Sequence, residues 1–552
     1  MIKKISPFLP PANYWKNSWL SLIQLVINGL LKSVIVVSSF YWVKNLSAQL
    51  RLHETVQVDN IRNLIIAALF IVLLRLHERY TAEKMSQKYI NAVRSSLLKR
   101  IMRASLREIQ QKTIGNLSSR LAGDLSTIKR WLSLGISRLL THTLLIVSTI
   151  GLIIHINPQL GAIIASTIIL LISITMIIGI KLKLSIKQVR SNRISIHSLL
   201  VERLSAIATI KAMGQEHKEI AKINSQANKL EQNIAQQGIF LGLLRGVGDA
   251  SALILISLFF GFNIFSNQAL SVDEITALIS IILFLNSPIR ELGRVQEYYQ
   301  GAKLSLNKVQ ELYQITRIVR GRQSQQKMHH YNGTVRVKNL YLENTFNGLS
   351  FNLKAGEHVA LTGKNGSGKS TLLELLLGLI KPDQGSIRIN GISPVKMLAH
   401  EKAKHLGTVG LNIVLLKNSI KNNIKYRHSK LSNKEMQSAI KLCQLERLIE
   451  KSPQGINSTV NESGKNFSSG EKARLSLCRA ITASPSILLL DEPENYLDTE
   501  GLKIIKKLIK TYDATLVIAT HNKELIQLCQ RQINLDRHQN QSKNLKILKK
   551  NV

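Results

Sequence analysis

Two short runs in this 552-residue chain hold residue types suited to phosphate chemistry. The first is Gly363-Lys364-Asn365-Gly366-Ser367-Gly368-Lys369-Ser370-Thr371, a complete G-x-x-x-x-G-K-[ST] pattern. The second, ILLLDE, ends on Asp491 and Glu492, about 120 residues later. Glycines let backbone N–H groups turn inward on phosphates, and a following helix adds its positive end. Lys369 is placed to reach the outer phosphates of a nucleotide. Ser370 offers a hydroxyl to Mg2+, and Asp491 can hold the same ion. Glu492 is the candidate to orient or deprotonate an attacking water. The flanks suit the motif: HVALT (358–362) reads as a buried strand and TLLELLLGLI (371–380) as a helix. A glycine loop without a ligand is the bland alternative, and two motifs in the right order argue against it.

The elements that must position these groups occupy only part of the chain. Composition divides it, because residues 1–315 carry long apolar stretches and the remainder reads as a soluble α/β domain. The run QLGAIIASTIILLISITMIIGI (159–180) has 22 residues and no charge, enough to cross a bilayer. Companions lie near 18–43, 61–80, 131–156, 239–264 and 275–297, interrupted by Lys32, Arg138, Arg245 and Asp249. Pro288 should kink or end the regular part of the last one. The expected organisation is multidomain: an all-α six-helix transmembrane domain over 1–315, a linker over 316–333, an α/β P-loop NTPase domain over 334–540 and a basic tail over 541–552.

The net charge of +40 suggests nucleic acid at first sight. Its location says otherwise. Basic residues crowd two stretches, Arg94 to Arg130 and Lys181 to Lys211, while HINPQ (155–159) and SNQALSVDE (266–274) are nearly neutral or mildly acidic. That asymmetry places the basic stretches and both termini in the cytoplasm, with the lipid bilayer and not nucleic acid as partner. Trp15, Trp19, Trp42 and Trp131 fall at segment ends and read as interfacial anchors. Cys443, Cys478 and Cys529 show no metal or redox spacing and read as reduced structural thiols. The break TIGNLSS (113–119) predicts a turn between helices.

Taken together, the chain resembles the ATP-binding cassette (ABC) transporters, in the exporter form where six membrane helices precede one nucleotide-binding domain. The resemblance spans essentially the whole chain. FSSGEKARLSLCRA (467–480) looks like the family signature, ENYLD (494–498) like its dimer-contacting loop, and His521 after ATLVIAT like its switch histidine. TIGNLSSRLAGDLSTI (113–128) and TIKAMGQE (209–216) look like the two coupling regions. The resemblance implies ATP and Mg2+ as cofactors, with ATP held between two domains. Ser468, Ser469, Gly470 and Glu471 of one chain would face the γ-phosphate held by the other, in a homodimer or a heterodimer with a related half-transporter. Lys369, Glu492 and His521 would carry catalysis.

Three departures from the family pattern stand out. Leu411 occupies the place of a glutamine that touches Mg2+, with Asn412 beside it as a possible substitute. Asn344 stands near the adenine-stacking aromatic, flanked by Tyr341 and Phe346. Ser469 replaces a glycine and Glu471 a glutamine; where φ is positive such a side chain costs roughly 1–2 kcal/mol. Two functions follow from the resemblance: ATP-driven export of an unidentified lipid, peptide or amphipathic molecule, or a weakly hydrolysing regulatory subunit of a heterodimeric complex. Arg138, His142, Arg245 and Asp249 either line a cavity for polar or anionic groups or pair to hold helices together, as Arg245 and Asp249 could one turn apart.

Overall fold

Apolar runs broken by basic segments give helices far longer than a bilayer is thick. A computed structural model describes residues 12–52, 58–112, 114–265, 270–315, 332–410 and 414–536. Leu411 and Asn412, the tail at 541–552 and most of the expected linker lie outside the described residues. Packing divides the chain into two units. One holds the described residues up to Met102 and from Lys112 to Ile315; the other holds Arg103–Gln111 and the described residues from 332 onward.

The first unit is helical. Its long elements are α1 (Ala12–Arg51) and α2 (Val58–Ile101), followed after the short α3 (Leu106–Gln110), α4 (Ile114–Ser119) and α5 (Leu125–Arg130) by α6 (Ser137–Ile156). Then come α7 (Pro158–Ser205), the short α8 (Ile207–Ala212), α9 (Glu216–Phe265) and α10 (Val272–Tyr313). Among the described residues, five stretches are long and apolar enough to cross a membrane: Ser18–Arg51, Gly115–Ile156, Pro158–Ser205, Glu216–Phe265 and Val272–Tyr313. The segment expected at 61–80 lies on α2, where charges shorten the apolar run. Ile65, Leu69, Phe70, Val72 and Leu73 are nonetheless exposed there, the outward apolar face that lipid would cover.

Local chemistry explains the joints. Asn157 caps α7: its side-chain oxygen accepts from the amides of Gln159 (3.1 Å) and Leu160 (3.0 Å), with Pro158 in the first helical turn. Ser271 and Glu274 form a reciprocal cap on α10. That helix continues through Pro288 without ending there. The break expected at 113–119 is displaced. Gly115 is helical, and the chain leaves its helix earlier, between Ile101 and Leu106. From Ile114 the helical path runs to Ile156 through two π-helical turns, Arg120–Asp124 and Trp131–Ile136. Trp131 lies against Tyr299, with ring centroids 5.3 Å apart and the planes tilted by 59°.

Several charges on the membrane-length helices are paired. Lys32 on α1 bonds Glu78 on α2, which also accepts from Ser137 Oγ (3.0 Å) and Thr141 Oγ1 (3.2 Å). Arg138 on α6 pairs with Glu291 on α10, which Arg294 holds at 3.0 Å from the other side. His142 lies within electrostatic reach of Glu78. Asp249 pairs with Arg290 of α10 at 3.4 Å, and not with Arg245, the pairing that one of the two alternatives offered. The neighbouring Gly248 brings the helices together there, since a Cβ at that position would lie 2.8 Å from the Arg290 Cα.

In the second unit the strands are β1 (Val335–Leu342), β2 (Phe346–Leu353), β3 (His358–Thr362), β4 (Gln384–Ile389), β5 (Leu406–Val409), β6 (Asn418–Ser419), β7 (Thr459–Val460), β8 (Ile487–Asp491), β9 (Thr515–Ala519) and β10 (Arg531–Asn534). Five of them form a parallel sheet in the order β10-β3-β9-β8-β5, and β2-β1-β4 form an antiparallel one. Strands β3, β8 and β9 are buried at every position, as expected when both faces of a parallel sheet are covered. The helices are α11 (Lys369–Leu376), α12 (Ala399–His405), α13 (Ile420–Ile424), α14 (Asn433–Leu442), α15 (Glu446–Lys451), α16 (Ser469–Ile481), α17 (Thr499–Thr511) and α18 (Lys523–Leu528). Cys443 and Cys478 are buried and free, and burial pushes the Cys529 thiol up to about 11.

His405, 3.0 Å from Ser486 Oγ, offers a test of this packing. Burial, with Lys404 adding repulsion, lowers it from 6.5 to about 4. A lowered value favours neutral imidazole in the fold, so its stabilisation is complete above about 6.5 and is lost as pH falls toward 4. The unfolding temperature of this unit should therefore drop between pH 7 and pH 5, and His405→Gln should flatten that drop. An equally steep fall in the variant counts against the assignment.

Candidate functional site

The phosphate cradle is built at the C-terminal end of β3. Gly363, Gly366 and Gly368 adopt φ of 146°, 82° and 95°, values that side chains resist. A Cβ on Gly368 would lie 2.6 Å from Thr345 Cγ2 and 2.8 Å from Phe346 Cζ, so glycine is required on steric grounds as well. Lys364 N–H donates to Asp536 Oδ1 at 2.8 Å, and Ser367 N–H to Lys364 O at 3.0 Å, closing the loop. The buried Ser367 hydroxyl has no hydrogen-bond partner. Such an orphan at a helix start, where the first amides also lack intrahelical acceptors, suits an anionic ligand.

The other candidate groups arrive from neighbouring strands. Asp491 and Glu492 leave β8, and His521 follows β9, which lies between β8 and β3. Ligands of open parallel sheets bind beyond such strand ends. Lys369 Nζ bonds Gly363 O (3.0 Å), lies 2.8 Å from His521 Nε2 and 3.5 Å from Glu492 Oε1. His521 Nε2 is 3.7 Å from the same Glu492 oxygen. Ser370 Oγ donates to Asp491 Oδ1 at 3.1 Å, which makes a pair of hard oxygens of the kind Mg2+ prefers. Burial raises the Asp491 carboxyl above its ordinary value, with Glu492 and Glu494 adding repulsion; Ser370 and Lys369 oppose them. Thus Lys369, Ser370, Asp491, Glu492 and His521 converge in one chain.

The signature stretch starts α16. Ser468 caps it: its Oγ accepts from Glu471 N–H (3.2 Å), and Glu471 Oε2 accepts from Ser468 N–H (2.8 Å). The departure at Glu471 is therefore a helix cap. Ser469 is the first residue of α16 and is absent from the positive-φ positions, so the expected strain does not arise. Gly470 has a packing reason, because a Cβ there would lie 2.7 Å from Asp498 Oδ2.

For adenine, Phe346 is buried beneath the cradle and unavailable, whereas the Tyr341 ring is exposed. Tyr341→Ala should weaken ATP binding about 2- to 10-fold, the equivalent of ~0.5–1.5 kcal/mol for an aromatic stack. Titration with a fluorescent nucleotide reads this, and an unchanged Kd removes Tyr341 from the site.

One contact escaped the sequence. Helix α3 packs within the ATP-binding unit: Leu106 N–H donates to Leu379 O at 3.0 Å, its side chain meets the core under β3, and Gln110 bonds Glu374 of α11. The coupling motif expected at 113–128 begins just after this segment. No apolar period marks five residues, so only the tertiary contact identifies them.

Comparison with known proteins bears on the family and the fold. The family model described as ABC transporter transmembrane region matches residues 18–289, and that described as ABC transporter matches residues 346–495. The uncharacterized ABC transporter ATP-binding protein YwjA of Bacillus subtilis (strain 168) is 25% identical over 442 residues, 77% of this chain and 76% of that protein. The ATP-dependent lipid A-core flippase of Desulfotalea psychrophila is 24% identical over 481 residues, 85% and 84% of the two chains. A solved bacterial Atm1-family ABC exporter with ATP bound shares the fold, with a TM-score of 0.81, 22% identity and 95% coverage of both chains. A chain that joins apolar membrane-length helices to a P-loop sheet with these strand-end groups belongs to the ABC transporters, as an exporter-type half-transporter with an ATP-hydrolysing cassette.

Proposed function

We propose that two such chains close on Mg·ATP and move an amphipathic substrate across the bilayer by alternating access. The observation that carries this reading is the convergence of Lys369, Asp491, Glu492 and His521 in a chain that also has lipid-facing helices. Lys369 and the cradle amides hold the phosphates, Ser370 and Asp491 hold Mg2+, Glu492 takes the proton of the attacking water, and His521 contacts the γ-phosphate. Ser468 to Glu471 complete the site of the other chain. Because Lys369, Asp491, Glu492 and His521 are all present here, with Leu411 as a departure among the nucleotide-facing positions, a second copy of the same chain would supply the same set to both sites, and a homodimer is the favoured assembly. The positive-inside pattern supports an orientation with both termini in the cytoplasm and a location in the plasma or inner membrane.

The substrate class follows from the paired charges. With Lys32, Arg138 and Asp249 tied to Glu78, Glu291 and Arg290, these three charges are already neutralised within the membrane unit. It does hold a cavity of about 220 Å³ lined mainly by apolar side chains, including Leu139, Met176 and Ile289, with Thr143 and Gln296 as polar points. That lining suits an acyl chain or similar tail. The related flippase acts on lipid A-core, consistent with a lipid-like substrate. In proteoliposomes, ATP should drive movement of a fluorescent lipid, and such lipids should stimulate ATPase activity. Neither effect with lipids, alongside robust stimulation by hydrophilic peptides, would overturn the substrate assignment.

A further inference from the structure

The loop after β8 carries a carboxylate that the hydrolytic reading leaves without a task. Glu494 Oε1 accepts two hydrogen bonds from the turn after β9: one from Thr520 Oγ1 at 2.6 Å and one from the His521 backbone N–H at 2.8 Å. Thr520 is fully buried, and its Oγ1 in turn accepts from Asn522 N–H at 3.0 Å. Asn522 caps α18 through Glu524 N–H (2.9 Å) and Leu525 N–H (3.2 Å). One carboxylate oxygen therefore anchors the point where the chain leaves the sheet. Up to Thr520 the sheet holds the backbone, through Thr520 N–H to Leu361 O at 3.2 Å. At His521 the Glu494 oxygen takes over.

The same loop touches the other functional elements. Asn495 Nδ2 donates to Glu492 Oε2 at 2.8 Å, beside a Glu492 backbone at φ 45°. At the far end Asp498 caps α17 through Gly501 N–H (2.8 Å), lies against Gly470 and approaches Arg474 Nη2 at 3.6 Å. Glu494 thus belongs to a loop that holds Glu492 through Asn495 at one end and meets the start of α16 through Asp498 at the other.

We propose that Glu494 is a positioning residue that locks the His521 turn to this loop, so that His521 and Glu492 move as one body when the loop is displaced from its α16 end. This rests on the reading of Glu492 and His521 as hydrolytic groups. Two hydrogen bonds to a single oxygen fix the His521 backbone, and the backbone sets where the imidazole meets Lys369 and a γ-phosphate. A carboxamide oxygen can accept the same two bonds, so the role needs an acceptor at this place and not its charge. An angstrom of misplacement at a reacting centre costs about 100-fold in rate.

Purified full-length protein in detergent or nanodiscs tests the idea. Glu494→Ala should lower kcat for ATP about 10- to 100-fold and leave KM within about 3-fold, whereas Glu494→Gln should keep kcat within about 3-fold. In a cycle with His521→Ala the losses should be non-additive, because Glu494 acts through His521. Hydrogen exchange at the His521 amide should speed up in Glu494→Ala and return in Glu494→Gln; this readout needs no turnover, and unchanged protection of the paired β8 and β9 amides shows that the variant is folded. Additive losses, an unchanged kcat in Glu494→Ala, or unaltered exchange overturn the clamp and leave the ATPase reading standing. A native chain whose turnover ignores Glu492→Gln overturns the ATPase reading and the catalytic part of the clamp with it.

Discussion

Glu492→Gln should leave Mg·ATP binding intact and lower its turnover about 100- to 10,000-fold, the range for loss of a positioned general base. The substitution is nearly isosteric, and the carboxamide can still accept from Asn495 Nδ2, which now lies 2.8 Å from Glu492 Oε2. What it removes is the proton acceptor and the charge facing Lys369 at 3.5 Å. Nucleotide affinity should therefore stay within a few-fold or tighten, since Lys369 loses a competitor of the phosphates. Phosphate release measured beside nucleotide binding separates the two effects. Equal, low rates in native protein and variant would end the assignment of Glu492 as the base.

The second large effect is expected at Lys369. Lys369→Ala should weaken ATP binding about 10- to 150-fold, from the loss of ~1.5–3 kcal/mol in a charge-assisted contact. The side chain is only 5% exposed and is held by Gly363 O and His521, so it is aimed into the cradle before any nucleotide arrives. Its removal also leaves Glu492 and His521 without their common neighbour. Thermal unfolding without nucleotide controls for damage to the fold. A variant that keeps native affinity would show that the cradle amides alone hold the phosphates.

The legible part of this protein was the part written locally. Each residue proposed to act in hydrolysis lies beyond a short, wholly buried apolar strand, and the parallel order β3-β9-β8 brings those strand ends together. A motif read along the chain therefore gave positions in space. Five of the six expected membrane segments stand out by apolar length, whereas the one at 61–80 does not. Their lateral pairs were not legible: Asp249 had a basic residue one turn away, yet packing at Gly248 brings Arg290 closer. Glu494 was visible only as part of a loop, because its partners stand 26 and 27 residues away on another strand's exit. Ser469 shows the opposite failure: a departure from the family pattern suggested strain, and the helical backbone at that residue removes it.

The placement of α3 has a consequence for how the molecule is made. Leu106 emerges from the ribosome some 270 residues before Leu379, the carbonyl it must bond. At ~5–20 residues per second, that nine-residue stretch waits roughly a quarter of a minute to a minute for its seat to exist. Assembly of the ATPase must then finish after the early membrane helices have been inserted. Separate translation of the C-terminal half would yield a cassette with one core position vacant, which the missing peptide, supplied from outside, should bind.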